Sequence, residues 1–159
     1  MSVLKSKRRT SKAEFVNLAH QIYVETFHFI ARLSNRYQRL LYEDVMHTAA
    51  AVLNNCEEAQ NIFPSTELRY NARTRHLLEA RSALMALDIH MSHVYEILMY
   101  NPQGAFNREN GETVPPKRAT EILDRMAGSL GEKIDHENEI IKKILEADKI
   151  TLKNSKRDS

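Results

Sequence analysis

Two carboxylate-x-x-His pairs, Glu25-Thr26-Phe27-His28 and Asp44-Val45-Met46-His47, have the spacing that bundle di-iron centres use. Residues three apart share a helix face and can reach one metal. Direction argues against that chemistry. At about 100° per residue, Glu25 and Asp44 lie roughly 80°, and His28 and His47 roughly 140°, from the centres of their apolar faces. Ligands of a core metal point inward, and these point to solvent, so no metal ligand and no cofactor is expected. His90 and His93 share a face without a carboxylate partner in register, a pattern of polar surfaces. Asp135-His136 and Glu137 form too common a fragment to carry weight. Cys56 sits in an apolar pattern with no His nearby, and the chain has no Gly-x-Ser-x-Gly elbow and no glycine-rich phosphate loop. No residue is assigned a catalytic role.

The arginines are the better lead. Arg32, Arg36 and Arg39 fall at helical spacing along one flank, provided one helix runs through them. Arg69, Arg73, Arg75 and Arg81 crowd a second segment, with Arg73 on the line of that segment's apolar seam. A guanidinium donates two parallel hydrogen bonds to phosphate and keeps its charge. Lys5, Lys7, Arg8, Arg9 and Lys12 precede the first acid, Glu14, and Lys149, Lys153, Lys156 and Arg157 mark the far end. Arg32, Arg36, Arg39, Arg69, Arg73 and Arg75, with the arm from Lys5 to Lys12, form the expected phosphate-gripping set. Tyr23, Tyr37 and Tyr70 would add base stacking. The plain alternative is solvated faces with local ion pairs such as Arg75 with Glu79, and tails that serve solubility. Arg81 and Asp88 lie one heptad apart beside the seam. Half-buried charges want partners from a neighbouring helix, so they are assigned to an oligomer interface, with pairing inside one chain as the alternative.

The elements that must position these residues are helices. Leu77, Ala80, Leu84, Leu87, Met91, Val94 and Leu98 alternate three- and four-residue steps, the seam of a long bundle helix. No Gly or Pro interrupts Ser65 to Tyr100, and Ser65 or Thr66 caps its start. A first helix is expected after a Ser11–Glu14 capping box, with Phe15, Ala19, Ile22, Thr26, Phe29 and Leu33 inward. It either ends or bends at Ser34-Asn35. A second runs from near Tyr37 or Glu43 to Ile62, presenting Leu41, Val45, Thr48, Ala49, Val52, Cys56 and Ala59, and Pro64 stops it. Asn101-Pro102-Gln103-Gly104 ends the third. Asn110-Gly111 predicts a tight turn with positive φ, hence a small hairpin. Pro115-Pro116 opens a fourth helix, with Leu123, Met126, Leu130, Ile134, Ile141 and Ile144 or Leu145 inward. Gly128 and Gly131 weaken its middle or admit a close neighbour. The fold class is all-α, an up-down four-helix bundle with a loop or hairpin insertion between helices three and four. The domain plan is a disordered basic arm over 1–11, the bundle over 12–150 and a disordered basic tail over 151–159.

Composition agrees. The 159 residues suit one domain, and Gly (4), Pro (4) and the absence of Trp favour helix. A net charge of +2 does not by itself argue for nucleic acid, so the weight falls on its distribution. One cysteine forms no intramolecular disulfide, which fits a reducing, cytoplasmic setting. No apolar run follows the basic start as in a secretory signal, and none is long enough to span a bilayer.

Phe63-Pro64-Ser65-Thr66-Glu67, followed by Arg69 and Arg73 and by Leu77-Leu78-Glu79-Ala80-Arg81, carries a family resemblance. The chain resembles, over about residues 12–100, the bacterial four-helix-bundle proteins that include the ribosomal-RNA intervening-sequence proteins and the accessory variability determinants of diversity-generating retroelements. It lacks the Ser-x-x-x-Asn-Ile-Ala-Glu-Gly-like segment of the intervening-sequence proteins, which tilts the likeness toward the retroelement branch. The Asn101–Pro116 insertion and the basic tail depart from a compact version of that fold. The resemblance implies a non-enzymatic, basic, ring-like homo-oligomer, pentameric in the best-understood branch. It implies binding of RNA or DNA and of a reverse transcriptase during mutagenic complementary-DNA synthesis. Two other readings stay open: a protein-interaction scaffold without nucleic acid, and a ferritin-like metal protein.

Overall fold

The computed structural model describes residues 13–158. Four helices follow in order: α1 (Glu14–Arg32), α2 (Asn35–Gln60), α3 (Glu67–Tyr100) and α4 (Pro116–Arg157). Each packs against its neighbours in sequence and α1 closes on α4, while the backbones of the diagonal pairs stay apart. That is the expected up-down bundle.

The apolar stripes meet along one core. On α3, all seven seam residues are buried, and the fully covered leucines 77, 84, 87 and 98 each contribute roughly 2 kcal/mol. Facing them are Phe15, Ala19, Ile22 and Phe29 of α1, Val45, Ala49, Val52 and Cys56 of α2, and Leu123, Met126, Leu130, Ile134 and Ile141 of α4. No helix among the described residues is long and apolar enough to cross a membrane.

The helix starts differ in how they are fixed. Thr66 caps α3, its hydroxyl accepting from the Arg69 N–H at 3.3 Å. Pro116 begins α4. Ala13, not Ser11, is the cap residue of α1, and its own side chain makes no cap bond; Ser11 lies outside the described residues. Glu14 reaches across to His136 at 3.0 Å instead of closing a capping box.

The first helix ends at Arg32. Leu33 and Ser34 are extended, and the insertion between α3 and α4 holds them so. Ser34 N–H donates to the Ala105 carbonyl and Asn107 N–H to the Arg32 carbonyl, both at 2.9 Å, with Leu33 bridging Phe106. Gln38 Nε2 donates to the carbonyls of Ala31 (2.8 Å) and Leu33 (2.9 Å), satisfying groups that the break exposes. The ring edges of Phe29 and Phe106 seal this end. In the insertion, Asn110 (φ 51°) and Gly111 (φ 78°) make the expected turn, with Glu109 and Glu112 bonded across it.

The far end corrects the domain plan. Residues 151–157, expected as a disordered tail, continue α4 to Arg157. Asp148 is tied to Arg73, and Lys156 to Glu67 at 3.2 Å, so α3 braces the last turns. Gly128 and Gly131 have open space where a Cβ would stand, so neither is there for close packing.

Candidate nucleic-acid interface

The break before α2 decides where the expected arginines go. Arg32 closes α1 and pairs with Glu109 at 3.0 Å, and the same carboxylate lies 3.7 Å from Arg118. Arg36 and Arg39 belong to α2, so the trio does not line one helix. The two α2 arginines are exposed and make no ion pair among the described residues. They line a concave surface of about 460 Å³ with Asn35 and the outward Leu40.

Helix polarity strengthens this spot. The first turn of α2 holds no acid, and Ser34 gives it no side-chain cap. Free backbone N–H groups and the positive end of the helix dipole therefore add to two guanidinium charges. Cations at a helix start are unfavourable for the isolated helix, and an incoming phosphate relieves that.

The second cluster divides. Arg69 is exposed, and Arg75 is exposed and pairs with Glu79 at 3.0 Å. Arg73 is a correction. Its side chain is only 13 % exposed, with Nε on Asp148 Oδ2 at 2.6 Å and Nη1 on the carbonyls of Ala59 (2.7 Å) and Ile62 (3.1 Å). It caps the end of α2 and locks α4, leaving no donor fork for phosphate. Its place four residues before Leu77, on the seam itself, was the signal for an inward role.

The two clusters sit at opposite ends. Helices α2 and α3 are antiparallel neighbours, each with its arginines near its start, and α2 alone spans about 39 Å. Bridging both ends would take a nucleic acid of about 12 base pairs. Lys5, Lys7, Arg8, Arg9 and Lys12 lie outside the described residues. Tyr23 and Tyr37 pack against the core and Tyr70 is half-buried, so none is an open stacking platform.

Arg81 and Asp88 part company too. Arg81 donates to Asn138 Oδ1 at 2.8 Å within the chain, the alternative that the sequence left open. Asp88 is exposed at the rim of a cleft between α3 and α4.

The metal candidates are dispersed. Glu25 pairs with Lys133 at 2.6 Å, while His28, Asp44 and His47 are exposed. Among the described residues no three potential ligands gather. Cys56 is fully buried, and burial, helped by the nearby Glu137 carboxyl, pushes its thiol well above the ordinary value. A thiol held in that form is a poor nucleophile.

Sequence reasoning missed Glu137. It occupies the core position between Ile134 and Ile141, is fully buried, and neither carboxyl oxygen has a hydrogen-bond partner among the described residues. Desolvation, with the charge of Glu14 adding to it, pushes its pKa from 4.5 up to about 8. The heptad register of α4 was the available signal, since a step from Ile134 to Ile141 skips one inward position.

No family model, no curated protein and no solved structure matches the chain.

Proposed function

We propose that this chain is a non-enzymatic, nucleic-acid-binding helical accessory protein that grips phosphates through the α1–α2 end of its bundle. The observation that carries the reading is the pair Arg36 and Arg39: exposed, without an ion-pair partner among the described residues, and set around a concavity at an acid-free helix start. Unpaired arginines beside free backbone N–H groups form a phosphate site that is indifferent to base sequence. Arg32 beside them is held by Glu109, the exposed Arg69 and Arg75 stand at the opposite end of the bundle, and Arg73 acts structurally.

The resemblance carried by the Phe63–Glu67 junction supports the finer reading. In it, the chain assists a reverse transcriptase of a diversity-generating retroelement, in the cytoplasm, as a homo-oligomer of up to five copies. Titration against single-stranded RNA, duplex DNA and an RNA–DNA hybrid, each at two salt concentrations, tests it. Micromolar or tighter binding that weakens steeply with salt is expected. Absence of binding at low salt would overturn it.

A second reading is a protein-interaction scaffold. Leu78, Met85, Ile89 and Ile97 of α3 are about half exposed on the side of the helix away from its seam. That reading predicts assembly that survives nuclease and no salt-dependent affinity for nucleic acid.

A further inference from the structure

The cleft between α3 and α4 has a floor of Met91, Met126 and Leu130, and on its α4 wall Ala127 and Gly131 leave room. A Cβ at Gly131 would meet nothing within 4 Å. The cleft measures about 240 Å³, below the roughly 300–1,000 Å³ of small-molecule pockets. It suits an apolar side chain better than a cofactor.

Its rim is acidic. Asp88 stands on α3, and α4 contributes Asp124, which accepts the Tyr95 hydroxyl at 2.6 Å, and the exposed Asp135, one turn beyond Gly131. Asp88 and Asp135 make no ion pair among the described residues; Arg81, on α3 beside the cleft, donates to the neutral Asn138 amide and keeps its charge. The contacts Tyr95–Asp124 and Arg81–Asn138 fix the antiparallel register, so Asp88 lies level with Gly131. Along the direction of α4 the three carboxylates therefore fall at levels 124, 131 and 135, spread over about 16 Å. Such a rim repels phosphate and attracts a cationic helix with charges at i, i+7 and i+11.

The same chain carries that pattern. Lys142, Lys149 and Lys153 of α4 are exposed, make no ion pair among the described residues and follow that spacing. Ile150 beside them is 60 % exposed. In register, Lys142 meets Asp124, Lys149 meets Asp88 and Lys153 meets Asp135, while Ile150 falls one residue, about 1.5 Å, past the level of the Gly131 gap. Glu146, in the same row, falls opposite Gly128, where the groove has no charge.

We propose that this cleft receives the lysine face of α4 from a second copy of the chain, a head-to-tail contact that leaves each copy one cleft and one lysine face. The inference rests on the self-association in the function proposed above and specifies its interface. In this register each copy is shifted 18 residues, about 27 Å, along α4 from the last, so the contact builds an open chain of copies and the mass grows with concentration.

Sedimentation of the full chain at low and high salt tests it, using three variants whose folding is checked by circular dichroism. Gly131→Leu fills the gap without changing charge and raises helix propensity. Asp88→Lys with Asp135→Lys reverses the cleft, and Lys149→Glu with Lys153→Glu reverses the face. Each is expected to weaken assembly about tenfold or more, and mixing the two charge-reversed proteins restores it, because each then offers what the other lacks. A monomeric parent at low salt, variants that assemble like the parent, or no recovery on mixing would overturn the inference. RNA binding through Arg36 and Arg39, measured on the same samples, reports separately on the phosphate-gripping reading.

Discussion

Replacing Glu137 by Gln should stabilise the protein, by an amount that depends on pH. In the folded chain this carboxyl is fully buried and unpartnered among the described residues, and its pKa is pushed up to about 8 from 4.5. A raised folded pKa means that the folded state holds a proton that the unfolded chain has lost. The wild-type protein therefore has its full stability below pH 4.5 and loses part of it as pH rises toward 8. At about 1.4 kcal/mol per pH unit, the loss amounts to about 3 kcal/mol at pH 7 and about 4 kcal/mol at pH 8, after which it levels off. The Gln amide does not ionise and escapes this penalty, although it keeps an unpartnered polar group. Glu137→Met removes both costs. Urea denaturation followed by circular dichroism at pH 4.5, 6, 7 and 8 reads the effect. The gap between the midpoints of the Glu137→Gln variant and the wild type should be small at pH 4.5 and widen steadily to pH 8. A gap independent of pH, or a Gln variant less stable than wild type at pH 7, would refute the buried-carboxyl reasoning.

Two further substitutions test the architecture. Arg73→Ala removes the partner of the buried Asp148 and uncovers the Ala59 and Ile62 carbonyls, so it should cost about 3–5 kcal/mol in denaturant titrations. It should also release the last turns of α4 to hydrogen exchange. Gly111→Ala, at φ 78°, should cost about 1 kcal/mol by straining the turn, although open space surrounds that position. Because this turn carries Glu109, whose carboxylate holds Arg32 and Arg118, exchange protection at the Leu33–Ser34 junction should weaken with it.

Much of the fold was legible because it depends on local patterns. The α3 seam, the Thr66 cap and the Asn110-Gly111 turn follow from periodicity and from residue chemistry within a few positions. What the sequence left open depends on distant partners. The break at Leu33 is held by Ala105, Phe106 and Asn107, about seventy residues away, and nothing in Leu33-Ser34-Asn35 alone requires it. The last turns of α4 look like a solvated basic tail until Arg73 and Glu67 are seen to hold them. For the candidate site, residue type marked the arginines, while their fates were set by neighbours. Arg36 and Arg39 stayed open, Arg32 and Arg75 gained carboxylates, and Arg73 turned inward. Glu137 shows the converse, an ordinary-looking acid whose position in the heptad placed it in the core.

The central claim is that phosphate is gripped at the α2 start, and the salt dependence of RNA affinity in the Arg36→Ala, Arg39→Ala double variant tests it most directly. If both arginines hold phosphates, the logarithmic salt slope should fall by about 1.4 relative to wild type, with affinity lowered alike for unrelated sequences. A double variant with wild-type affinity and slope would contradict the account and remove this end of the bundle from any nucleic-acid site.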